Sequence, residues 1–181
     1  MASCFISAGY SLDCRNASTG GIKEMWVLGG SGSTITGWAE DGSENITAIS
    51  GSGVFYHFEL VKQSSSFTET LGVNTQAQSV VFQPTLTVSL PKMDQDLRNV
   101  WFDLIKLNNI IAIFRDNNNR FWSFAFENGA LVTEGTLVSG LAYTDLNGAT
   151  FTMQGGEPSP SQEILVSDND LSTVLTGITV A

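Results

Sequence analysis

PKMDQDLRNVWFDLIKLNN (91–109), running directly into IIAIFRDNNNRFWSFAFENG (110–129), is the stretch on which the fold turns. The spacing of its first half is helical. Met93, Leu97, Val100, Trp101, Leu104 and Leu107 recur at three- and four-residue steps, which lines one apolar stripe along a helix. Pro91 suits the first helical position, where a missing N–H costs nothing, and Asp94 and Asp96 favour the positive end of the helix dipole. Asn108 and Asn109 supply the stop, so the spacing predicts a helix over residues 91–108. The period then changes. Ile110–Phe114 and Phe121–Phe126 flank a turn at Asp116, Asn117, Asn118 and Asn119, and Trp122, Phe124 and Phe126 alternate with Ser123 and Ala125 as in a half-buried strand. A helix packed on a sheet follows, with the stripe as core.

Upstream, Gly20-Gly21, Gly29-Gly30-Ser31-Gly32, Asp41-Gly42 and Gly51-Ser52-Gly53 divide the chain into short β-prone pieces: Ile22–Leu28, Ser33–Ala39, Asn45–Ile49 and Val54–Val61. Downstream, Asn128-Gly129 and Asn147-Gly148 are turn signals, and the glycine- and proline-rich stretch 155–160 precedes a last strand around Ile164–Val166. The tail Leu171–Val180 is β-prone and either joins a neighbour's sheet or closes its own. Between strands, Lys62–Gln78 is polar and Ser/Thr-rich, which reads as a long hairpin whose tip projects. The fold class expected is therefore mainly β: an antiparallel β sandwich or rolled barrel with one flanking α-helix, in a single domain over residues 1–181.

Charge bounds the function. Only 14% of residues are charged, against roughly 25% in an ordinary soluble domain, and the net charge is −10. The 61 residues from Phe121 to Ala181 contain no lysine or arginine but carry Glu127, Glu134, Asp145, Glu157, Glu163, Asp168 and Asp170. Gripping a phosphate backbone needs clustered cations, so specific nucleic-acid binding is excluded. The start lacks a basic and apolar leader pattern, and no run approaches the ~20 apolar residues of a membrane span; synthesis and assembly in cytoplasm, with no membrane partner, are expected. Cys4 and Cys14 read as ordinary thiols.

No constellation assembles chemistry. His57 is the only histidine and has no second histidine or nearby cysteine to complete a zinc set. The glycine-rich run from Gly29 lacks the lysine and helix of a phosphate loop. Asp168-Asn169-Asp170 lacks the central glycine and distal glutamate of a calcium loop. Trp26, Trp38, Trp101 and Trp122 sit in core-like patterns rather than on a sugar platform. No catalytic residue, metal site or cofactor is expected.

Four segments carry a resemblance: GYSLDCR (9–15), GGIKE (20–24), FENGALVTEGTLVSG (126–140) and DLNGATFTMQGGEP (145–158). They resemble small virion structural proteins of tailed phages infecting Bacteroidetes, including the crAss-like group. Glu134 departs from the pattern, where a small residue is common, and the aromatic strand Phe121–Phe126 is heavier than the pattern. The resemblance implies a tail-tube-like or tail-ring-like fold whose copies form six- or twelve-fold homo-oligomeric rings around a DNA channel. It implies a virion (tail) location, assembly in the host cytoplasm, other tail or neck proteins as partners, and passage of genomic DNA without specific binding. On that reading Glu127, Glu134 and Asp145 are candidate lumen carboxylates, and Lys62, Ser65, Phe67, Glu69, Leu71 and Val73 form a candidate inter-subunit arm. Alternatives are a decoration, adaptor or baseplate protein, or a carbohydrate-binding or adhesive β module.

Overall fold

The computed structural model describes residues 18–76 and 78–181; Cys4, Cys14 and the segment 9–15 lie outside them. The four short strands expected at the start are two long ones, β1 (Ile22–Glu40) and β2 (Ile46–Glu59), paired antiparallel along their length. The run from Gly29 to Gly32 is therefore not a chain-reversing turn. It is a bulge inside β1, where the register slips between Gly29 and Thr34. Gly53 opposite sits at φ +124°, a conformation open to glycine, so β2 bends with its partner instead of parting from it.

Next come β3 (Ser66–Asn74), β4 (Ser79–Pro91), α1 (Gln95–Lys106), β5 (Ala112–Asp116), β6 (Phe121–Phe124), β7 (Ala130–Val138), β8 (Gly148–Gly155), β9 (Glu163–Ile164) and β10 (Leu175–Val180). One sheet runs β1-β5-β6-β9-β2-β10, and β1 also pairs β2, so the path closes on itself through five strands. The second sheet, β3-β4-β8-β7, is open and antiparallel throughout. The first sheet is mixed, correcting the antiparallel expectation: β9 and β10 both lie parallel to β2. They reach it by way of a strap (155–162) and two short 3-10 turns, long enough connections for parallel entry. The tail thus pairs within its own sheet, as the strand beside β2 that lies outside the closed path.

Two apolar clusters divide the core along the pleat. Trp26 and Leu28 of β1 join Ile46, Ile49, Phe55, Ile113 and Phe121 among the strands of the closed path. Met25 and Val27 face the other way, joining Phe114 and Phe124 to Leu86, Val88, Phe151 and Met153 of the second sheet. Both faces of β1 over Met25–Leu28, and of most of β5 and β6, are consequently buried. Phe121–Phe124 is not the half-buried strand its alternation implied, because one aromatic set fills each cluster.

The helix is shorter than its stripe. Pro91 ends β4, paired with Gly148, and Lys92 at φ +68° turns the chain away. Asp94 then caps the helix, its carboxylate accepting from the Leu97 N–H at 2.9 Å. A side-chain cap outcompetes proline here because the strand must end before the helix begins. Leu104 is buried, and Leu97, Trp101 and Leu107 pack on the second cluster, whereas Met93 and Val100 stay exposed.

Candidate assembly surface

The second sheet has one apolar face and one hydroxyl face. In β4, buried Leu86, Val88 and Leu90 alternate with half-buried Thr85 and Thr87 and with Ser89, which is itself buried; in β8, buried Ala149, Phe151 and Met153 alternate with half-buried Thr150 and Thr152 and exposed Gln154. The registers align these polar side chains across the sheet. Ser66, Thr87, Thr152 and Glu134 form one row, and Thr68, Thr85, Gln154 and Leu131 the next. The hydroxyls of Thr87 and Thr152 meet at 3.3 Å. No lysine or arginine occurs in any of the four strands, and Glu134 is the one charge in these rows.

Among the described residues both edges of this sheet are open over most of their length. β3 and β7 are each nine residues long; among the described residues β3 pairs only with β4, and β7 pairs with β8 but also meets Ile110 on its outer side at Ala130, leaving Leu131–Val138 free there. Neither carries a lysine or proline to blunt it against pairing with another chain; the bulge between Val132 and Glu134 in β7, and one glutamate in each strand, are the edge-blunting features present. The pairing of β4 with β8 covers Thr85–Pro91, so Thr70–Asn74 and Ser79–Gln83 run on past β8 as a two-stranded ribbon. Leu71 and Val73 on that ribbon are 58% and 59% exposed.

The expected arm residues separate accordingly. Leu71 and Val73 lie in the ribbon, while Lys62 lies in the turn before β3. Ser65 is buried, accepting from the Ser89 N–H at 3.2 Å, and Phe67 packs on Phe114 at 4.6 Å between ring centres, so both belong to the body. Glu69 is tied down by the Ser161 N–H and hydroxyl, each at 2.9 Å. The segment read as one arm of a long hairpin is β3, paired antiparallel with β4 from Ser66 to Asn74.

The three candidate carboxylates are not brought together. Glu134 lies opposite Thr152 on the hydroxyl face, Glu127 in the turn before β7, and Asp145 in the loop after it. Asp145 serves that loop: its carboxylate accepts from the Ala142 and Leu141 N–H groups at 2.8 and 3.0 Å, which hold its pKa below the usual range. Asn147-Gly148 ends this loop and does not form a two-residue turn, because Gly148 already pairs within β8.

One functional-looking group escaped the sequence reading. Glu157 is 6% exposed, and its carboxylate accepts from the Glu127 N–H at 3.0 Å and the Asn128 N–H at 3.1 Å. Burial raises its pKa, an effect that these backbone donors oppose and the Glu127 charge reinforces. Its own backbone bridges Phe82 at the base of the ribbon. An acid flanked by Gly156 and Pro158 has no periodicity to mark it, so only the fold reveals the clasp.

Elsewhere, His57 stacks on Trp26 at 4.8 Å beside a groove of ≈480 Å³ between β2 and α1. Asn169 accepts from Arg115 at 2.8 Å, and among the described residues no three metal-binding side chains group together. None of the four tryptophans is exposed. No family model, curated protein or solved structure matches the chain.

Proposed function

We propose that this chain is a non-enzymatic subunit of a phage tail tube or tail ring, assembling with copies of itself around a channel that passes genomic DNA. The observation that supports the reading is the second sheet: two edges, β3 and Leu131–Val138 of β7, that no strand covers among the described residues, and a face of hydroxyls and amides without a cation. Adding β3 of one copy to β7 of the next is a head-to-tail contact, which closes into a ring when the rotation per subunit divides a full turn. Each junction pairs an otherwise open edge. The hydroxyl face would then line the channel in a tail-tube-like fold, where a wall lacking cations has no phosphate contacts to release as DNA slides. The apolar ribbon, with Leu71 and Val73, reaches out of the sheet toward the next ring or another tail protein.

Glu134 is the residue through which to test the wall. Glu134→Lys puts one cation per subunit on the hydroxyl face, multiplied by the ring order. Assemblies of the variant are expected to retain linear duplex DNA at low salt and release it as salt rises, while wild-type assemblies retain none. Filter binding measures both. Equal, negligible retention by wild-type and variant assemblies would remove Glu134 from the DNA-facing wall.

A further inference from the structure

Glu157, Asn128 and Gly129 form a cluster that the assembly reading leaves unused. We propose that Asn128 is a self-modification site, at which Glu157 promotes closure of the Asn128–Gly129 pair into a succinimide that water opens to aspartate or isoaspartate. The inference does not depend on the tail reading.

The geometry supplies three parts. Gly129, at φ +75°, has no side chain of its own beside its backbone nitrogen, and its N–H directly follows the Glu127 and Asn128 N–H groups that donate to the Glu157 carboxylate. The Asn128 N–H donates to that carboxylate at 3.1 Å, which fixes the residue beside the base. The Asn128 Nδ2 donates to the Gly156 carbonyl at 2.7 Å, which holds the leaving amide. Burial makes Glu157 a stronger base than a surface glutamate, and Glu127 is the charged neighbour that adds to this effect. Among the described residues no ion pair neutralises Glu157, while Glu69 and Glu40 hold the same strap further along at Ser161 and Gln162.

The step balances without an oxidant or reductant. The Gly129 nitrogen attacks the Asn128 side-chain carbonyl carbon as Glu157 takes the Gly129 proton, and the new C–N bond closes the ring. The adduct collapses by breaking the bond to Nδ2, which takes the proton back from Glu157 and leaves as ammonia. One water then adds to either imide carbonyl. The product replaces a donor with a carboxylate that faces the Gly156 carbonyl and stands beside Glu157, so the strap loosens where it holds the base of the ribbon.

The chain carries its own control. Asn147-Gly148 has the same sequence, but Gly148 is buried in β8, Lys92 N–H donates to the Asn147 carbonyl, and the nearby Asp145 carboxylate is engaged by Leu141 and Ala142. Chymotryptic peptide mapping by mass spectrometry follows both sites during incubation at neutral pH, in folded protein and in urea. Asn128 is expected to convert on the order of 10²-fold faster in the folded chain than in urea, the scale of general-base assistance, whereas Asn147 slows on folding. Glu157→Gln is expected to abolish the advantage, with circular dichroism confirming that the variant folds. Conversion of Asn128 no faster in the folded protein than in urea overturns the proposal, and so does a folded Glu157→Gln chain that keeps the wild-type rate. The first comparison needs no variant and decides alone if Glu157→Gln does not fold.

Discussion

Phe124→Ala is expected to destabilise the fold by about 3–5 kcal/mol, the cost of truncating a large buried aromatic and leaving a cavity. Phe124 is fully buried on β6, in the cluster that joins both sheets and α1. The loss is therefore shared by every layer. With net stability of roughly 5–15 kcal/mol for a domain, and about 2–4 °C per kcal/mol at this size, the melting temperature should fall by about 6–20 °C. Thermal and urea unfolding followed by circular dichroism measure it. A loss below about 1 kcal/mol, the range of a surface substitution, would mean that the two sheets do not share this core.

Gly148→Val is expected to break the second sheet locally. Gly148 pairs with Pro91 on one side and Val138 on the other. A Cβ there would lie 2.1 Å from the Leu90 carbonyl oxygen and 2.9 Å from the Pro91 Cα. Those are backbone atoms, so no rotamer change makes room. The strands must separate at this end, at a cost of about 1–3 kcal/mol or more, and the spacing between the β3 and β7 edges changes with them. Both a lower melting temperature and lost self-association should follow. Gly42→Ala is the matched control, since an added Cβ there meets nothing within 4 Å. A Gly148→Val chain as stable as wild type would contradict the β4–β8 register.

How much of this was legible in the sequence depended on whether a residue's neighbours were close in the chain. The helix stripe, the hairpin around Asp116 and the β-rich class all rest on local periodicity, and each has its counterpart in the structure. The helix start was misplaced because Pro91 satisfies two rules at once, and its pairing with Gly148 is a long-range fact. Gly29–Gly32 likewise reads as a turn until β2 is known to follow β1 through the bulge. Two-faced burial of Phe121–Phe124 is invisible to an alternation rule that assumes one wet face. For the candidate surface, the shortage of cations was plain, but the hydroxyl rows were not. They arise only when Thr85, Thr87, Thr150 and Thr152, from segments far apart, are set in register. Glu127, Glu134 and Asp145, the candidate lumen carboxylates of the resemblance, are spread over the fold for the complementary reason: a nine-residue extended strand separates the turn that holds Glu127 from the loop that holds Asp145.

Self-association is the property on which the proposed function stands. Negative-stain imaging of the purified chain across a wide concentration range, with light scattering on the same samples, reads it. Closed rings or stacked tubes of a single rotational order are predicted, disrupted by Gly148→Val and retained by Gly42→Ala. A chain that stays monomeric at the highest concentration, with β3 and β7 still open to solvent by hydrogen exchange, would contradict the account.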